Sequence, residues 1–344
     1  MLSETEISAI DSLLKDRKAF ALYVFPGENQ LHWCLDGDNR FEIVEWLHDY
    51  SSRIPISDSS FPVGEAMPVE GRQTSYEEYI TGVRRVIDNC ASRGGKTVYS
   101  RVICGECNGT TVVSWGEVAS RLFALHQSAF RFVYYTPSTG AWLGATPELL
   151  LDYNLETGRF STVSLAGTRK SGCESEWDEK NFRENKYVSD FIVDSLGKLG
   201  ITADLSPLQT VSYGSIEHLC ATISGKTETA GFDELLDALS PTPALCGWPK
   251  KDAIEDIKHY ERHSRGCYGG YLLVREPRRI RAFVNLRCVH FDQKHYCVFG
   301  GGGITPMSDP DDEFAETTAK TSALTGIIES CRHRQHSAGM LGIM

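Results

Sequence analysis

The sequence predicts an α+β fold with antiparallel sheets, and three observations lead to this class. Segments rich in β-branched and aromatic residues follow one another with turn residues between them, among them "KTVYSRVI", "FRFVYYTP" and "FSTVSLAGT". They do not alternate strictly with helices, so a doubly wound parallel sheet fits less well. The 344 residues are 41% hydrophobic and 24% charged, as in ordinary globular proteins, which argues against a disordered or fibrous chain.

The length of the chain fits one large domain or two ordinary ones. Residues 1–70 contain mixed strand and loop signals and end in the Pro- and Ser-rich connector "SSRIPISDSSFPVGEAMPVEG", which is the best candidate boundary. We expect this first portion to complete one edge of a sheet.

The composition excludes several classes of protein. A net charge of -11 argues against a general nucleic-acid or anionic-membrane surface. The start "MLSETEISAI" lacks the features of a secretory signal, and no apolar run approaches the ~20 residues of a membrane span. Eleven scattered cysteines, with one CxxC at Cys104 and Cys107, indicate reduced thiols rather than a disulfide scaffold or a zinc site. We therefore expect a cytoplasmic protein.

The first strong helix signal follows the connector. The segment "SYEEYITGVRRVIDNCASRG" is predicted to be a helix that ends near Gly94, because Tyr79, Val83 and Val86 recur at helical spacing. After it, "GAWLGATPELLLDYNL" is predicted to be a strand, and "RAFVNLRCVHFDQKHYCVFGG" a hairpin that turns at residues 292–294. The chain thus passes from a helix to a series of strands.

A second helix is predicted over "EWDEKNFRENKYVSDFIVDSLGKLG", closed by the glycines at positions 197 and 200. Four of its residues share one face at i, i+4, i+7 and i+11: Glu184, Val188, Phe191 and Ser195. A carboxylate therefore stands at the head of a partly apolar stripe. Burying it without a partner would be costly, so it either lies at the edge of the stripe or has a function.

The stretch "FGGGGITPMSDPDDEFAETTAK" joins four glycines to a run of carboxylates. It is not a nucleotide P-loop, because that loop ends in Lys and Ser or Thr, whereas a Ser-Asp-Pro sequence follows here. Asp309 and Pro310 instead predict a helix start. In that helix three residues share one face: Glu313, Glu316 and Lys320. An acid-rich first turn that faces water explains the pattern as well as a ligand site does.

Nine short runs, in order along the chain, resemble the chorismate-utilising enzymes, which include isochorismate, salicylate, anthranilate and aminodeoxychorismate synthases. The runs are "KTVYSRVI", "LGATPELLL", "VSLAGTRK", "EKNFRENKYV", "SIEHL", "PTPALCGWPK", "SRGCYGGYL", "VNLRCVHF" and "GGGGITPMSDPDDEFAETTAK". The resemblance implies a single domain over residues 1–344, with a chorismate-binding core at 71–332 and a variable portion at 1–70. It also implies the anthranilate synthase component I-like fold, in which two large antiparallel β-sheets pack as a sandwich with helices outside.

The resemblance gives the carboxylates a role. It implies a magnesium ion held by Glu184 from the first of the two acidic helices and Glu316 from the second, with Glu313 nearby, directly or through water. Oxygen ligands and retained waters suit this hard cation. The metal would then receive the ring carboxylate of chorismate.

Other positions match the family's substrate contacts. Arg287 in "LRCV" and Tyr268 in "CYGG" would grip the enolpyruvyl carboxylate, helped by backbone N–H groups of a glycine loop near Gly301 and Gly303. The further matching positions are Ala166, Gly167, His218, Ala244, Leu245 and Lys320. For His218, a core histidine satisfied by hydrogen bonds is an equally good explanation.

Addition of a nucleophile beside the carboxylate-bearing ring carbon, as in this family, needs a base on one side and an acid that protonates the departing hydroxyl. Lys96 in "KTVYSR" matches the lysine that activates water, and Glu148 in "ATPELL" matches the acid, which must stay protonated. Taken alone, Lys96 could be a surface charge at a strand end, and Glu148 a turn residue after Pro147.

Local features favour water as the nucleophile. Ala166 stands where covalent aminodeoxychorismate synthases have a lysine, and Ala244 stands where ammonia-using branches usually have Thr. The resemblance therefore implies a magnesium-dependent isochorismate synthase, an isomerase; a salicylate synthase and a non-catalytic dicarboxylate-binding relative are the alternatives. The sequence departs from the family's pattern at two positions. Asn181 stands where some relatives have an acid, and Trp248 in "GWPK" stands where a small or aliphatic residue is usual.

Chorismate is the partner that the resemblance implies. The sequence contains no glutamine amidotransferase segment, so no such partner is expected, nor is nucleic acid or a membrane. We expect a monomer or a weak dimer. Menaquinone, siderophore and salicylate synthesis are equally compatible destinations for the product.

Overall fold

The computed structural model describes residues 19–22, 32–35, 71–107, 111–136, 139–292 and 294–334. These residues form the strands β1 (Ala19–Leu22), β2 (His32–Leu35), β3 (Lys96–Glu106), β4 (Thr111–Val113), β5 (Phe130–Thr136), β6 (Gly140–Thr146), β7 (Leu149–Asn154), β8 (Arg159–Lys170), β9 (Ala203–Leu205), β10 (Gln209–Tyr213), β11 (Ile216–Lys226), β12 (Gly247–Trp248), β13 (Tyr271–Glu276), β14 (Arg279–Val284), β15 (Cys288–Phe291), β16 (His295–Ile304) and β17 (Arg332–Arg334). They also form the helices α1 (Tyr76–Arg93), α2 (Trp115–Leu125), α3 (Glu179–Lys198), α4 (Phe232–Leu239), α5 (Lys250–Tyr260) and α6 (Pro310–Ser330).

The strands form two large antiparallel sheets. The larger has nine strands in the order β10-β11-β8-β7-β14-β13-β1-β2, with β9 paired to β11. The second has six in the order β12-β3-β16-β15-β6-β5, and β4 pairs with β17 separately. β1 and β2, the described strands of residues 1–70, extend one edge of the larger sheet, as the sequence predicts. The rest of that portion lies outside the described residues.

The two sheets pack against each other, and helices cover their outer faces. Between the sheets, Phe130 of β5 stacks on Phe283 of β14 with ring centroids 4.1 Å apart, and Leu272 of β13 joins the buried cluster around Trp142 of β6. α3 and α4 pack on the larger sheet, and α2 and α6 on the second, through buried aliphatic side chains. The structure therefore confirms the predicted sandwich with helices outside.

The helices α1, α3 and α6 are those that the sequence predicts. Asp309 is the N-cap of α6, where its carboxylate accepts a hydrogen bond from the N–H of Asp311 at 2.9 Å, and Pro310 is the first helical residue. Asp178 caps α3 by accepting from the N–H of Asn181 at 2.8 Å. These caps fix the first turns of the two helices that carry the predicted metal ligands.

Helices α2, α4 and α5 are not among the sequence predictions, because each has only 8 to 11 residues and shows few turns of periodicity. The predicted hairpin is present: β15 and β16 pair on either side of residues 292–294. In the described part of the chain, no helix is both long and apolar enough to cross a membrane.

Two segments predicted as continuous strands are divided between the sheets. "GAWLGATPELLLDYNL" forms β6 in the second sheet and β7 in the larger one, with Pro147 and Glu148 between them. Likewise, "RAFVNLRCVHF" forms β14 in the larger sheet and β15 in the second, with residues 285–287 between. Strand propensity is similar on both sides of each crossing, so the sequence does not reveal it. Since β7 pairs with β14 and β6 with β15, the two crossings lie side by side.

The four glycines lie in a strand, which corrects the prediction of a glycine loop. Residues 300–303 belong to β16 and pair with residues 98–101 of β3. A Cβ at Gly301 would lie 2.7 Å from Oη of Tyr268, and a Cβ at Gly303 would overlap the carboxylate of Glu184. The glycines therefore leave room for side chains from other elements rather than form a turn.

A cross-strand disulfide corrects the expectation of reduced thiols. Cys104 of β3 and Cys297 of β16 are bonded. They face each other directly in the antiparallel ladder, with Cα atoms 4.2 Å apart, so the register brings their side chains together. Cys107, the second cysteine of the CxxC, is a buried free thiol.

Candidate active site

A cavity opens where the two sheet crossings meet the glycines of β16. Of the fifteen residues that the sequence predicts for the site, twelve line this cavity: Glu148, Ala166, Gly167, Glu184, His218, Ala244, Leu245, Tyr268, Arg287, Gly301, Gly303 and Lys320. The remaining three border it. Lys96 contacts Glu184 from β3, and Glu313 and Glu316 lie next to the glycines on α6. The fold thus gathers the predicted residues from distant parts of the chain.

Lys96 is the first residue of β3, and its side chain is fully buried. Its Nζ lies 3.1 Å from Oε1 of Glu184 on α3, and 3.0 Å from the position that a Cβ on Gly303 would take. The ammonium is therefore directed at the wall of the cavity and not at solvent. The alternative interpretation of Lys96 as a surface charge is wrong.

Glu148 lies at the crossing between β6 and β7 and is only 4% exposed. Burial raises the pKa of its carboxyl group to about 7, although the positive charges of Lys96, Lys320 and Arg287 oppose the rise. A carboxyl group with this pKa retains a proton near neutral pH and can donate it to a substrate.

Arg287 follows the other crossing and has a left-handed backbone with φ 52°, which residues other than glycine rarely adopt. Its guanidinium donates to the carbonyl of Lys320 at 2.9 Å and lies 3.0 Å from Nε2 of His218. Because arginine only donates, this Nε2 is the acceptor, and the Nδ1–H of His218 donates to the carbonyl of Gly167 at 3.1 Å. We call Arg287, His218 and Gly167 the Arg287 corner.

The hydrogen bonds of the corner need a neutral imidazole. Burial lowers the pKa of His218 to about 3, and the positive charge of Arg287 adds to this effect. His218 therefore stays uncharged at physiological pH and holds the guanidinium in place. It orients Arg287 through this hydrogen bond.

Tyr268 and Lys320 complete this side of the cavity. Tyr268 is buried and directs its Oη at Gly301. Lys320 donates to the carbonyl of Gly301 at 3.0 Å and pairs with Glu316, four residues earlier on α6, at 2.6 Å. β15 pairs with β16 only as far as Val298, so beyond it one side of β16 has no strand partner among the described residues. Backbone N–H groups on that side are available to an anion.

Three carboxylates converge on the strand at Gly302 and Gly303, and we call Glu184, Glu313 and Glu316 the carboxylate cluster. A Cβ on Gly302 would lie 2.8 Å from Oε2 of Glu313 and 3.8 Å from Oε1 of Glu316, while Glu184 approaches Gly303. Glu313 is 1% exposed. A water-exposed acidic first turn is therefore not the explanation for this residue.

The charges in the cluster influence one another. Burial raises the pKa of Glu313, and the negative charge of Glu316 adds to the rise, whereas Lys180 at 2.7 Å opposes it. Burial also acts against ionisation of Glu316, but Lys320 and Lys180 hold its pKa below the usual range. The lysines therefore favour the ionised form of Glu316 and only limit the rise in the pKa of Glu313.

The cluster offers oxygen atoms to a hard cation. Two buried carboxylate oxygens, Glu184 Oε2 and Glu313 Oε2, accept no well-directed hydrogen bond within the described residues, whereas Glu313 Oε1 and Glu316 Oε1 contact the ammonium groups of Lys180 and Lys320 at 2.7 and 2.6 Å. No group of three or more His, Cys, Asp or Glu side chains in the described ranges is arranged to enclose a metal ion. Magnesium commonly uses one or two protein carboxylates together with waters and substrate oxygens, so the donor set of the cluster fits it.

A comparison with known families agrees with this site. The family model described as chorismate binding enzyme matches residues 28–326. The chain belongs to this family. The matched range begins inside residues 1–70 and ends at residue 326.

Relatives within the chorismate-binding family include two branches. Isochorismate synthase EntC from Escherichia coli (strain K12) is 27% identical over 268 residues, which cover 74% of this chain and 67% of EntC. Anthranilate synthase component 1 from Aeropyrum pernix is 30% identical over 230 residues, which cover 61% of this chain and 52% of that relative. The solved structure of MenF, the menaquinone-specific isochorismate synthase from Escherichia coli, superposes with a TM-score of 0.72 at 20% identity, over 94% of this chain and 82% of MenF.

Asn181, where some chorismate-binding enzymes have an acid, supports the neighbouring strand β8. Its Oδ1 accepts a hydrogen bond from the N–H of Thr168 at 2.9 Å, and its Nδ2 donates to Asp178 at 2.8 Å. Gly167, just before Thr168, has φ 83° and packs against Asn181. The amide therefore stabilises the register shift of β8 at Gly167, opposite His218, and adds no charge to the carboxylate cluster.

Trp248, the other departure from the family's pattern, lies next to Lys96. Its backbone pairs with Lys96 through β12 and β3. Its ring is 43% exposed and stacks on Tyr187 of α3, with centroids 5.9 Å apart. The tryptophan therefore links the strand of Lys96 to the helix that carries Glu184.

Two features of the site are absent from the sequence predictions. Lys180 precedes Glu184 by four residues, and this helical spacing, which places both on one face of α3, is the signal that could have revealed it. Glu261 and Arg265 form a buried ion pair at 2.6 Å. Arg265 also donates to the carbonyl of Leu245 at 2.9 Å and so fixes the backbone of a predicted substrate contact. No local sequence pattern predicts the contact between Arg265 and Leu245, because the two residues are distant in sequence.

Proposed function

We propose that this protein is a magnesium-dependent isochorismate synthase, an isomerase that converts chorismate to isochorismate. The observation that carries the proposal is a single cavity bordered by a buried lysine, Lys96, and by a buried carboxyl group of raised pKa, Glu148. A protein that only binds a dicarboxylate has no need of both an acid and a base around its ligand. Relatives named isochorismate synthase support this branch of the family.

The proposed reaction exchanges one hydroxyl group for another. Water adds to the ring carbon beside the one that bears the carboxylate, the ring double bonds shift, and the hydroxyl at ring carbon 4 departs as water. Lys96, acting as the neutral amine, would take a proton from the attacking water, and Glu148 would give its proton to the leaving hydroxyl. One proton is gained and one is lost by the protein, so exchange with solvent restores both groups.

The anionic substrate needs positive charge at both of its carboxylates. Arg287 and Tyr268 would hold the enolpyruvyl carboxylate, together with backbone N–H groups of β16. A magnesium ion, when bound, would neutralise the ring carboxylate. Glu184 and Glu316 would hold that ion, with Glu313 beside them, since their buried carboxylates converge on one strand and Glu184 Oε2 accepts no hydrogen bond among the described residues.

Incubation of the purified protein with chorismate and Mg²⁺, followed by chromatographic separation of the products, tests the proposal. Isochorismate that disappears when EDTA removes the metal is the expected product. Salicylate in the same assay would assign the salicylate synthase reaction instead, and anthranilate formed with added ammonium would assign the anthranilate branch. Chorismate that binds and is recovered unchanged would support a non-catalytic binding protein.

A further inference from the structure

Lys180 is a residue of the site to which the proposed reaction gives no role. It lies on α3, four residues before Glu184, and its Nζ is 2.7 Å from Oε1 of Glu313 on α6. The Lys180 side chain is 20% exposed, whereas that of Glu313 is 1% exposed. A lysine from one acidic helix therefore reaches across to a fully buried acid of the other.

The carboxylate cluster is matched one to one by lysines. Lys96 pairs with Glu184 at 3.1 Å. Lys320 pairs with Glu316 at 2.6 Å, and Lys180 pairs with Glu313. Lys96 borders the cavity as the proposed base, and Lys320 also donates to the carbonyl of Gly301. Among the described residues, Lys180 forms an ion pair with Glu313. Its role in the site is therefore to neutralise the carboxylate cluster.

We propose that Lys180 is a tethered counter-ion of the metal site, whose ammonium neutralises Glu313 in the metal-free protein and withdraws when a divalent cation binds. This inference rests on the proposed function, because it takes the carboxylate cluster to be a metal site. It goes beyond that function by assigning a role to a residue that does not ligate the metal.

Electrostatics explain why the two cations exclude each other. A buried carboxylate without a counter-ion is strongly destabilising, so the cluster needs a cation even when no metal is bound. A divalent ion among the same carboxylates repels an ammonium a few ångströms away, and low local polarity strengthens that repulsion. Lysine has a long, flexible side chain, and the partial exposure of Lys180 gives its ammonium a path to water. Lys180 can therefore leave Glu313 without unfolding α3.

The withdrawal can be measured on the wild-type protein by labelling with an amine-reactive acetylating reagent and mass spectrometry. Acetylation of Lys180 should rise several-fold when Mg²⁺ is added, because its amine moves from Glu313 to water. Lys186, on the same helix with a 71% exposed side chain paired with Asp190, is the internal control and should not change. Equal labelling of Lys180 with and without Mg²⁺ would overturn the proposal.

A variant tests the same competition by affinity. Lys180→Met keeps the length of the side chain and removes its charge, so titration calorimetry should show Mg²⁺ binding about tenfold tighter than in the wild type. The metal-free variant should melt at a lower temperature and regain stability with Mg²⁺, whereas Lys186→Met should match the wild type in both measurements. Unchanged or weaker Mg²⁺ binding by Lys180→Met contradicts the inference, and if the metal-free variant does not fold, the labelling experiment decides.

The two proposals can fail separately. A wild-type protein that binds no Mg²⁺ would overturn the role of Lys180. If the same preparation still converts chorismate to isochorismate, the proposed reaction is correct and only its dependence on magnesium is wrong.

Discussion

The carboxylate cluster and the Arg287 corner meet at the same cavity, but they are held together in different ways. In the corner, polar groups satisfy one another in a chain from Arg287 through His218 to the carbonyl of Gly167. In the cluster, lysine ammonium groups contact one oxygen of each carboxylate, and Glu184 Oε2 and Glu313 Oε2 accept no well-directed hydrogen bond among the described residues. The corner is therefore preorganised by the protein itself, whereas the cluster depends on which cation is present.

This difference assigns different tasks to the two regions. A preorganised corner fixes the position and orientation of one substrate carboxylate before the substrate arrives. A cluster that exchanges cations can adjust its charge when the second carboxylate and a metal enter together. Lys96 and Glu148 stand between the regions, so their chemistry depends on both.

The largest effect is expected from Lys96, which contacts the cluster through Glu184 and serves the reaction itself. Lys96→Met should lower kcat by about 10³-fold, because the attacking water loses its base. The rate of isochorismate formation measures this. Lys226→Met, at a surface ion pair with Glu228, is the matched control and should retain full activity. A Lys96→Met rate within tenfold of the wild type would remove Lys96 from the proposed chemistry.

The burial of Glu148 predicts a pH dependence of the reaction. The acid must be protonated, and burial raises the pKa of Glu148 to about 7, so kcat/KM should be highest below pH 7 and fall tenfold per pH unit above it. Glu148→Gln should lower the rate about 100-fold and abolish this decline. The control Glu156→Gln, at an exposed ion pair, should keep the wild-type profile. A decline near pH 7 that persists in Glu148→Gln would assign the pKa to another group.

His218 provides a direct test of the contrast between corner and cluster. His218→Ala removes the acceptor that orients Arg287, so KM for chorismate should rise about tenfold while kcat changes little. Mg²⁺ affinity, measured by calorimetry, should stay unchanged because the cluster does not use His218 for its geometry. His259→Ala, at an exposed position of α5, is the control. A large change in Mg²⁺ affinity in His218→Ala would show that the two regions are not independent.

Local sequence signals predicted the helices of the cluster well, because capping and helical spacing act over a few residues. Asp309 and Pro310 fixed the start of α6, and the spacing of Glu313 and Glu316 placed both on one face. The sheet crossing at Glu148 was not predicted, because strand propensity is the same on its two sides. The buried pairing of Lys180 with Glu313 joins two helices far apart in sequence, so no local pattern reveals it.

The glycines of β16 show the same limit in another form. Their number suggested a loop, since glycine usually marks a turn. The structure instead shows that Tyr268 and Glu184 approach the strand so closely that no side chain fits. The need for glycine thus comes from tertiary packing, which is visible only once the positions of the other strands and helices are known.

The smallest effect is expected from Asn181. This residue lies on α3, the helix that carries Glu184, but its side chain contacts Gly167 of the Arg287 corner. Asn181→Ala leaves the N–H of Thr168 without its acceptor, so the free energy of unfolding should fall by about 1 kcal/mol in urea denaturation. KM for chorismate should rise about threefold, because the segment of β8 at Gly167, which accepts the hydrogen bond of His218, loosens.

A matched control separates the loss of stability from the change in the corner. Asn154→Ala removes a side-chain oxygen that accepts from the N–H groups of Glu156 and Thr157 at 3.0 and 2.9 Å, in a surface turn away from the cavity. It should lose similar stability and keep the wild-type KM. If Asn181→Ala also keeps the wild-type KM, the corner does not depend on this amide, and the rigidity argued for it must come from Arg287 and His218 alone.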